Sequence, residues 1–148
     1  MPAEISRRAA PADLDAIVAI DSVSFKQPWA RTSFERAFVD PNSVVLLVEH
    51  NGVPCGFGVA WCVGDEAEIA TLAVDAAVRG KGVGEQIMRA LLDECVTRGA
   101  VVVFLEVRPS NLAAQSLYRR LGFESVGLRP NYYADGEAAV IMKWSRPN

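Results

Sequence analysis

Residues 67–107 constrain the fold more than any other part of the chain. Ala67–Val74 reads as a strand, and the glycine-rich loop Arg79-Gly80-Lys81-Gly82-Val83-Gly84 follows it. A helical pattern then runs to about Arg98, with Ile87, Met88, Leu91, Leu92 and Cys95 on one apolar stripe. Gly99 is a good helix stop. Val101–Val107 is an apolar run broken only by Glu106, the pattern of a strand buried on both faces. Strand, crossover helix and strand together demand a sheet with a helix laid across it.

The flanking segments extend that sheet. Downstream, Ser110 or Asn111 caps a short helix whose stripe is Ala113, Ala114, Leu117, Tyr118 and Leu121. Gly122 ends it, and strands near Phe123–Leu128 and Ala138–Trp144 follow. Upstream, Ile5–Arg8 reads as a short strand, and Pro11-Ala12-Asp13 opens a helix with Leu14, Ile17, Val18 and Phe25 on one face. Gln27-Pro28-Trp29-Ala30 interrupts it, because proline cannot continue a helix. A second helix spans roughly Thr32–Val39. Strands Ser43–Glu49 and Val53–Val63 join at Asn51-Gly52, a strong hairpin signal. The expectation is α/β: one mixed sheet with helices on both faces, in a single domain over residues 1–148.

Composition removes several function classes. Of 148 residues 51% are hydrophobic and the net charge is -3, so the chain is neither disordered nor a non-specific nucleic-acid binder. Residues 1–74 carry 5 Lys/Arg against 10 Asp/Glu, and residues 75–148 carry 10 against 8. A phosphate-bearing ligand suits the second half, and a cationic partner the first. Cys55, Cys62 and Cys95 are scattered and odd in number, which predicts buried, reduced thiols and a cytoplasmic setting. His50, the only histidine, precedes the Asn51-Gly52 turn and is expected to be an exposed loop residue. No metal site and no Ser-His-Asp triad are expected with that single imidazole. The start, Met1-Pro2-Ala3-Glu4, has no basic and apolar leader pattern, and no run of 18 apolar residues occurs, so no membrane partner is expected.

Glycines in the 79–84 loop leave backbone N–H groups open beside a helix N-terminus, with Arg79 and Lys81 adding positive charge. Pyrophosphate is the natural guest, and a flexible solvated turn is the alternative. A P-loop is absent because Lys81 is followed by Gly82 instead of Ser or Thr. A dinucleotide fingerprint fails at its third glycine, where Glu85 stands.

Arg79-x-x-Gly82-x-Gly84, following a strand and opening a helix, resembles the acetyl-CoA pyrophosphate motif of the GNAT superfamily of N-acetyltransferases. Asn111-x-x-Ala114-x-x-Leu117-Tyr118-x-x-Leu121-Gly122-Phe123 is similar to that family's later segment. Phe25-x-x-Pro28-Trp29, Leu105-Glu106-Val107-Arg108-x-Ser110-Asn111 and Asn131-Tyr132-Tyr133 before Asp135-Gly136 resemble the bacterial ribosomal-protein-alanine N-acetyltransferases within it. Gly80 departs from the pattern, since relatives usually carry a larger, often basic residue there. The resemblance implies a mostly antiparallel sheet with two parallel strands that splay at the cofactor site. It implies acetyl-CoA as cosubstrate, with Leu72, Ala73 and Val74 pairing the pantetheine arm, and Arg79, Gly80, Lys81, Gly82, Val83, Gly84 and Glu85 cradling the pyrophosphate. Asn111 would bond the cofactor further along, and the Val74 N–H would face the developing oxyanion.

Acetyl transfer to an amine needs a base, oxyanion donors and an acid for the leaving thiolate. Glu106 is the candidate base, because an unpaired carboxylate inside an apolar run is costly; a structural pair with Arg108 or another arginine is its plain alternative. Tyr118 is the candidate acid, with a core tyrosine as its alternative. Phe25, Trp29, Tyr132 and Tyr133 would line the peptide slot by resemblance, or simply pack the core. The implied acceptor is a protein N-terminus, an alanine of a ribosomal protein, whose basic tail suits an acidic rim of Asp21, Glu35, Asp65, Glu66 and Glu68. Acetylation of a lysine or a small amine, and a non-catalytic acyl-CoA-binding module, are the rival readings.

Overall fold

The computed structural model describes residues 4–25 and 28–148. The start, Met1–Ala3, and Gln27 of the helix-breaking segment lie outside the described residues. Seven strands, β1 (Glu4–Arg8), β2 (Ser43–His50), β3 (Val53–Val63), β4 (Glu66–Val74), β5 (Val102–Val107), β6 (Glu124–Arg129) and β7 (Ala139–Ser145), form one sheet in the order β1-β2-β3-β4-β5-β7-β6. Four helices flank it: α1 (Leu14–Ser24), α2 (Arg31–Val39), α3 (Val83–Thr97) and α4 (Leu112–Arg120). Every neighbouring pair is antiparallel except β4 and β5, which the α3 crossover makes parallel.

Two apolar layers hold the sheet. On one face α1 and α2 bury Ile17, Ile20 and Phe34 against Val45, Leu47, Phe57 and Val59. On the other, Ile87, Met88, Leu91 and Cys95 of α3 pack on Val44, Ala60, Val103 and Leu105. Gly56 and Gly58 of β3 let α3 approach this closely, since a Cβ at Gly58 would stand 2.7 Å from Leu91 Cδ1 and 2.8 Å from Ile87 Cγ2. The position of α3 matters because its N-terminus faces the gap described below.

That gap opens between the two parallel strands. β4 and β5 pair only from Glu66↔Val102 to Ile69↔Leu105. At that point β4 shifts register against β3, with Ala60 opposite Ile69 and Val59 opposite Thr71, leaving Ala70 bulged. A bulge bends its strand, so Ala70–Val74 turns with β3, while Glu106 and Val107 follow β7. The Asp75 N–H bonds the Cys55 carbonyl at 2.8 Å. By antiparallel alternation, Leu72 and Val74 then turn their backbone groups away from β3 and into the gap.

Four expectations need correction. β5 is not buried on both faces: Val103, Leu105 and Val107 are buried, whereas Val102, Phe104 and Glu106 are only half-buried, because no helix covers that side. α1 ends at Ser24, so Phe25 is its exposed C-cap and not part of its apolar face. His50 is the last residue of β2, half-buried, instead of an exposed loop residue. Asp21 is buried and its Oδ2 accepts the Trp29 N–H at 2.8 Å, so it fastens the α1–α2 connection and forms no rim. Burial holds its carboxyl above the usual carboxylate range despite that bond. The three cysteines are buried, as expected, and burial beside Cys62 pushes the Cys95 thiol up.

Candidate active site

The glycine loop forms the N-terminal approach to α3. Asp75 caps the short turn Ala76–Val78 by accepting the Ala77 N–H at 2.9 Å. Gly80 and Gly82 then adopt φ of +80° and +82°, conformations that disfavour any side chain. A Cβ at either would meet no protein atom within 4 Å, so the space above them is open. Gly82 N-caps α3, whose first intrahelical bond runs from Gln86 N to Gly82 O at 3.0 Å. The amides of Val83, Gly84 and Glu85 therefore have no intrahelical acceptor, and the helix dipole adds positive potential there. The amides of residues 83–85 thus offer the donors a pyrophosphate needs. The Glu85 side chain is turned to Arg89 and Arg120, at 3.2 and 3.6 Å, so only its backbone serves the cradle. Lys81 is exposed.

Arg79 lies differently from a simple phosphate ligand. Its Nε donates to the Val74 carbonyl at 3.0 Å, and its Nη2 to Ser24 Oγ at 3.4 Å. The free main-chain groups of the splayed edge are then both groups of Leu72 and the Val74 N–H. Across the gap, Asn111 N-caps α4 by accepting the Ala114 N–H at 3.1 Å, which leaves its amide as donor. Tyr118 sits one turn further along α4 against Phe123, ring centroids 5.9 Å apart. Burial pushes its hydroxyl up to about 12.

On the uncovered face beyond the splay lies a cavity of about 520 Å³, walled by Trp61, Glu66, Glu68, Phe104, Glu106 and Arg129 among others. Glu106 is held at its inner end. Tyr132 donates its hydroxyl to Oε1 at 3.1 Å, and Arg129 Nε stands 3.5 Å from Oε2. Glu68 lies opposite Phe104 in the parallel pair. Burial raises its carboxyl, Glu106 adds to the effect and Arg129 opposes it. Three carboxylates facing one guanidinium make the cavity a place for a cation.

The structure therefore gathers Glu106 and Tyr132, with Tyr133 packed edge-on against Tyr132 at 5.0 Å. Trp29 is set back: it stacks on Trp61 at 5.9 Å and leans on Phe34 at 5.0 Å, so Trp61 stands between it and the cavity. Phe25 is exposed at the end of α1 and is not a cavity wall. Trp61, Phe104 and Arg129 carry no motif that marks them as site residues in the sequence. The Glu66-x-Glu68 alternation marked those two side chains as sharing a strand face, but their neighbours depend on cross-strand register. Among the described residues no group of three His, Cys, Asp or Glu is arranged to hold a metal ion, and no helix is long and apolar enough to cross a membrane.

The acetyltransferase (GNAT) family model matches residues 14–123. The chain belongs to that family. It is an acetyl-CoA-dependent N-acetyltransferase. The [ribosomal protein bS18]-alanine N-acetyltransferase of Escherichia coli strain K12 is 35% identical over 133 residues, covering 88% of this chain and 89% of that protein. N-alpha-acetyltransferase RimI of Mycobacterium tuberculosis is 39% identical over 121 residues, 78% of this chain and 75% of that one. The crystal structure of the ribosomal-protein-S18-alanine N-acetyltransferase from Escherichia coli superposes with a TM-score of 0.89 at 32% identity, over 98% of this chain and 96% of that one. The sheet order and the single parallel pair of this acetyltransferase are those of the family fold.

Proposed function

We propose that this acetyltransferase modifies the N-terminal α-amine of a protein, the alanine of a ribosomal protein in particular, in the cytoplasm. The observation that carries this reading is Glu106, fixed by Tyr132 and Arg129 where β4 and β5 part, with the acidic cavity on one side and the α3 cradle on the other. The names of the relatives support the acceptor class.

Acetyl-CoA supplies the activated thioester. Amides 82–85 hold its pyrophosphate, with charge from Lys81, and the Leu72 backbone groups bind its pantetheine as an added strand. Val74 N–H stabilises charge developing on the thioester oxygen. Glu106 takes the ammonium proton, an easy task for an α-amine whose pKa is about 7.7–8.0. Tyr118, kept protonated by burial, delivers a proton to the departing sulfur. Glu66 and Glu68 draw the cationic N-terminus and basic tail towards the cavity.

Steady-state rates on a peptide with free N-terminal alanine, against its N-blocked lysine-bearing twin, test the acceptor. Faster turnover of the blocked peptide refutes the N-terminal reading. No thiol release from acetyl-CoA with either peptide would point to another amine, a small molecule, as the acceptor.

A further inference from the structure

The β6–β7 connection, which carries Tyr132 and Tyr133, is fastened to the β5–α4 connection by one arginine. Arg108 Nη1 lies 2.9 Å from Asp135 Oδ2 and 2.9 Å from Glu137 Oε1. Its guanidinium carbon sits 4.0 Å over the Tyr133 ring. Glu137 completes the fastening: Oε1 accepts the Ser110 hydroxyl at 3.1 Å, and Oε2 accepts the Ser110 N–H at 3.0 Å. Arg108 and Ser110 together hold the Glu137 carboxyl below the usual carboxylate range.

Two things follow from this placement. The loop closes on itself through Tyr133 N to Glu137 O at 3.0 Å and Gly136 N to Tyr133 O at 2.8 Å, so it moves as a unit. Tyr132 reaches Glu106 from that unit. Arg108 touches neither Glu106 nor the cavity wall, and so acts through the tyrosines. A lysine keeps the charge but not the whole contact, because an ammonium has no planar face to lie on the Tyr133 ring.

We propose that Arg108, with Glu137, is a positioning residue for acceptor binding: it clamps the β6–β7 loop against the start of α4 and so sets Tyr132, with Tyr133 packed on it, against Glu106 at the edge of the acceptor site. This rests on the cavity at Glu106 being the acceptor site. It goes beyond the acid–base roles, since the clamp takes no part in proton transfer.

The test uses the full chain, acetyl-CoA and the two peptides above. Arg108→Met and Glu137→Gln are each expected to raise the acceptor KM roughly tenfold, the scale of losing one charge-assisted hydrogen bond. The acetyl-CoA KM should stay within about twofold, because neither residue meets the glycine-loop cradle, and kcat should fall by less than the acceptor KM rises, because Glu106 keeps Arg129 when Tyr132 shifts. The double variant should be no worse than the poorer single, as expected for partners in one contact. Arg108→Lys, which keeps the charge without the planar face, should raise the acceptor KM by less than Arg108→Met, and amide exchange over residues 131–138 should quicken in both. Unchanged acceptor KM, unchanged exchange, or parallel rises in both KM values with a lowered melting temperature would each overturn the clamp. If the wild-type enzyme prefers the blocked lysine peptide, the N-terminal reading falls, and the clamp is judged on that peptide's KM instead.

Discussion

Replacing Gly82 and Gly84 separately by alanine distinguishes the two jobs of the glycine loop, because the fold should respond with opposite signs. Gly82 has φ of +82° and ψ of 8°, the left-handed region. Placing an L-residue there costs about 1–2 kcal/mol. A lower unfolded-chain entropy offsets about 0.4–1 kcal/mol of that. No clash adds to it, since no protein atom stands within 4 Å of where a Cβ would lie. The net loss of about 1 kcal/mol should lower the melting temperature by about 3 °C in a domain of this size. Gly84 differs: it lies in the first turn of α3, and its Cβ would meet Leu117 Cδ2 at 3.5 Å and Val74 Cγ2 at 3.8 Å, ordinary contacts. Alanine there should stabilise by about 0.5–1 kcal/mol. For the cosubstrate, Gly82→Ala fills open space over the cradle and shifts its amides, so affinity for coenzyme A should fall roughly tenfold or more. Gly84→Ala points its methyl at protein and should leave affinity nearly unchanged. Thermal denaturation and calorimetric titration with coenzyme A measure both. A Gly82→Ala protein that melts and binds like wild type would refute the assigned role of the left-handed turn.

Three further outcomes are expected. Glu106→Gln should lower kcat by about 10²–10⁴, the usual worth of a positioned base, while coenzyme A binding persists in titration; full activity would return Glu106 to a structural pair with Arg129. Tyr118→Phe should lower kcat and also change alkaline stability. Its folded pKa of about 12 exceeds the ordinary value of 10, so its contribution is complete below about 10 and is lost as pH rises towards 12. The phenylalanine variant should therefore lose less stability than wild type over that window, as read by denaturant melts. Phe34→Ala removes a fully buried ring packed on Trp29 and Phe57 and should cost about 3–5 kcal/mol by chemical denaturation.

Local patterns were sufficient for the elements themselves. The stripe Ile87, Met88, Leu91, Leu92, Cys95 is the buried side of α3, Asn111 is the α4 cap, and Asn51-Gly52 makes the β2–β3 turn with both residues at positive φ. Glu106 stood out because one carboxylate interrupts an apolar strand. Its environment did not. An apolar run such as Val101–Val107 looks alike whether helices cover both faces or only one, and α1 and α2 end short of β5. Asp21 likewise reads as a solvated helix charge, and only the fold of Trp29 back to α1 shows that its buried carboxylate accepts a half-buried amide.

What the chain order determined by itself was therefore the sequence-local chemistry: strands, stripes, caps and a glycine loop whose amides suit an anion, all governed by interactions within a few residues. Tertiary structure alone decided which of these meet. The bulge at Ala70 parts β4 from β5 and frees the edge at Leu72 and Val74. Cross-strand register puts Glu68 opposite Phe104, and the Arg108–Glu137 contact, 29 positions apart in sequence, ties down the loop from which Tyr132 bonds Glu106. Those placements rest on packing and pairing between distant segments, which no local periodicity encodes.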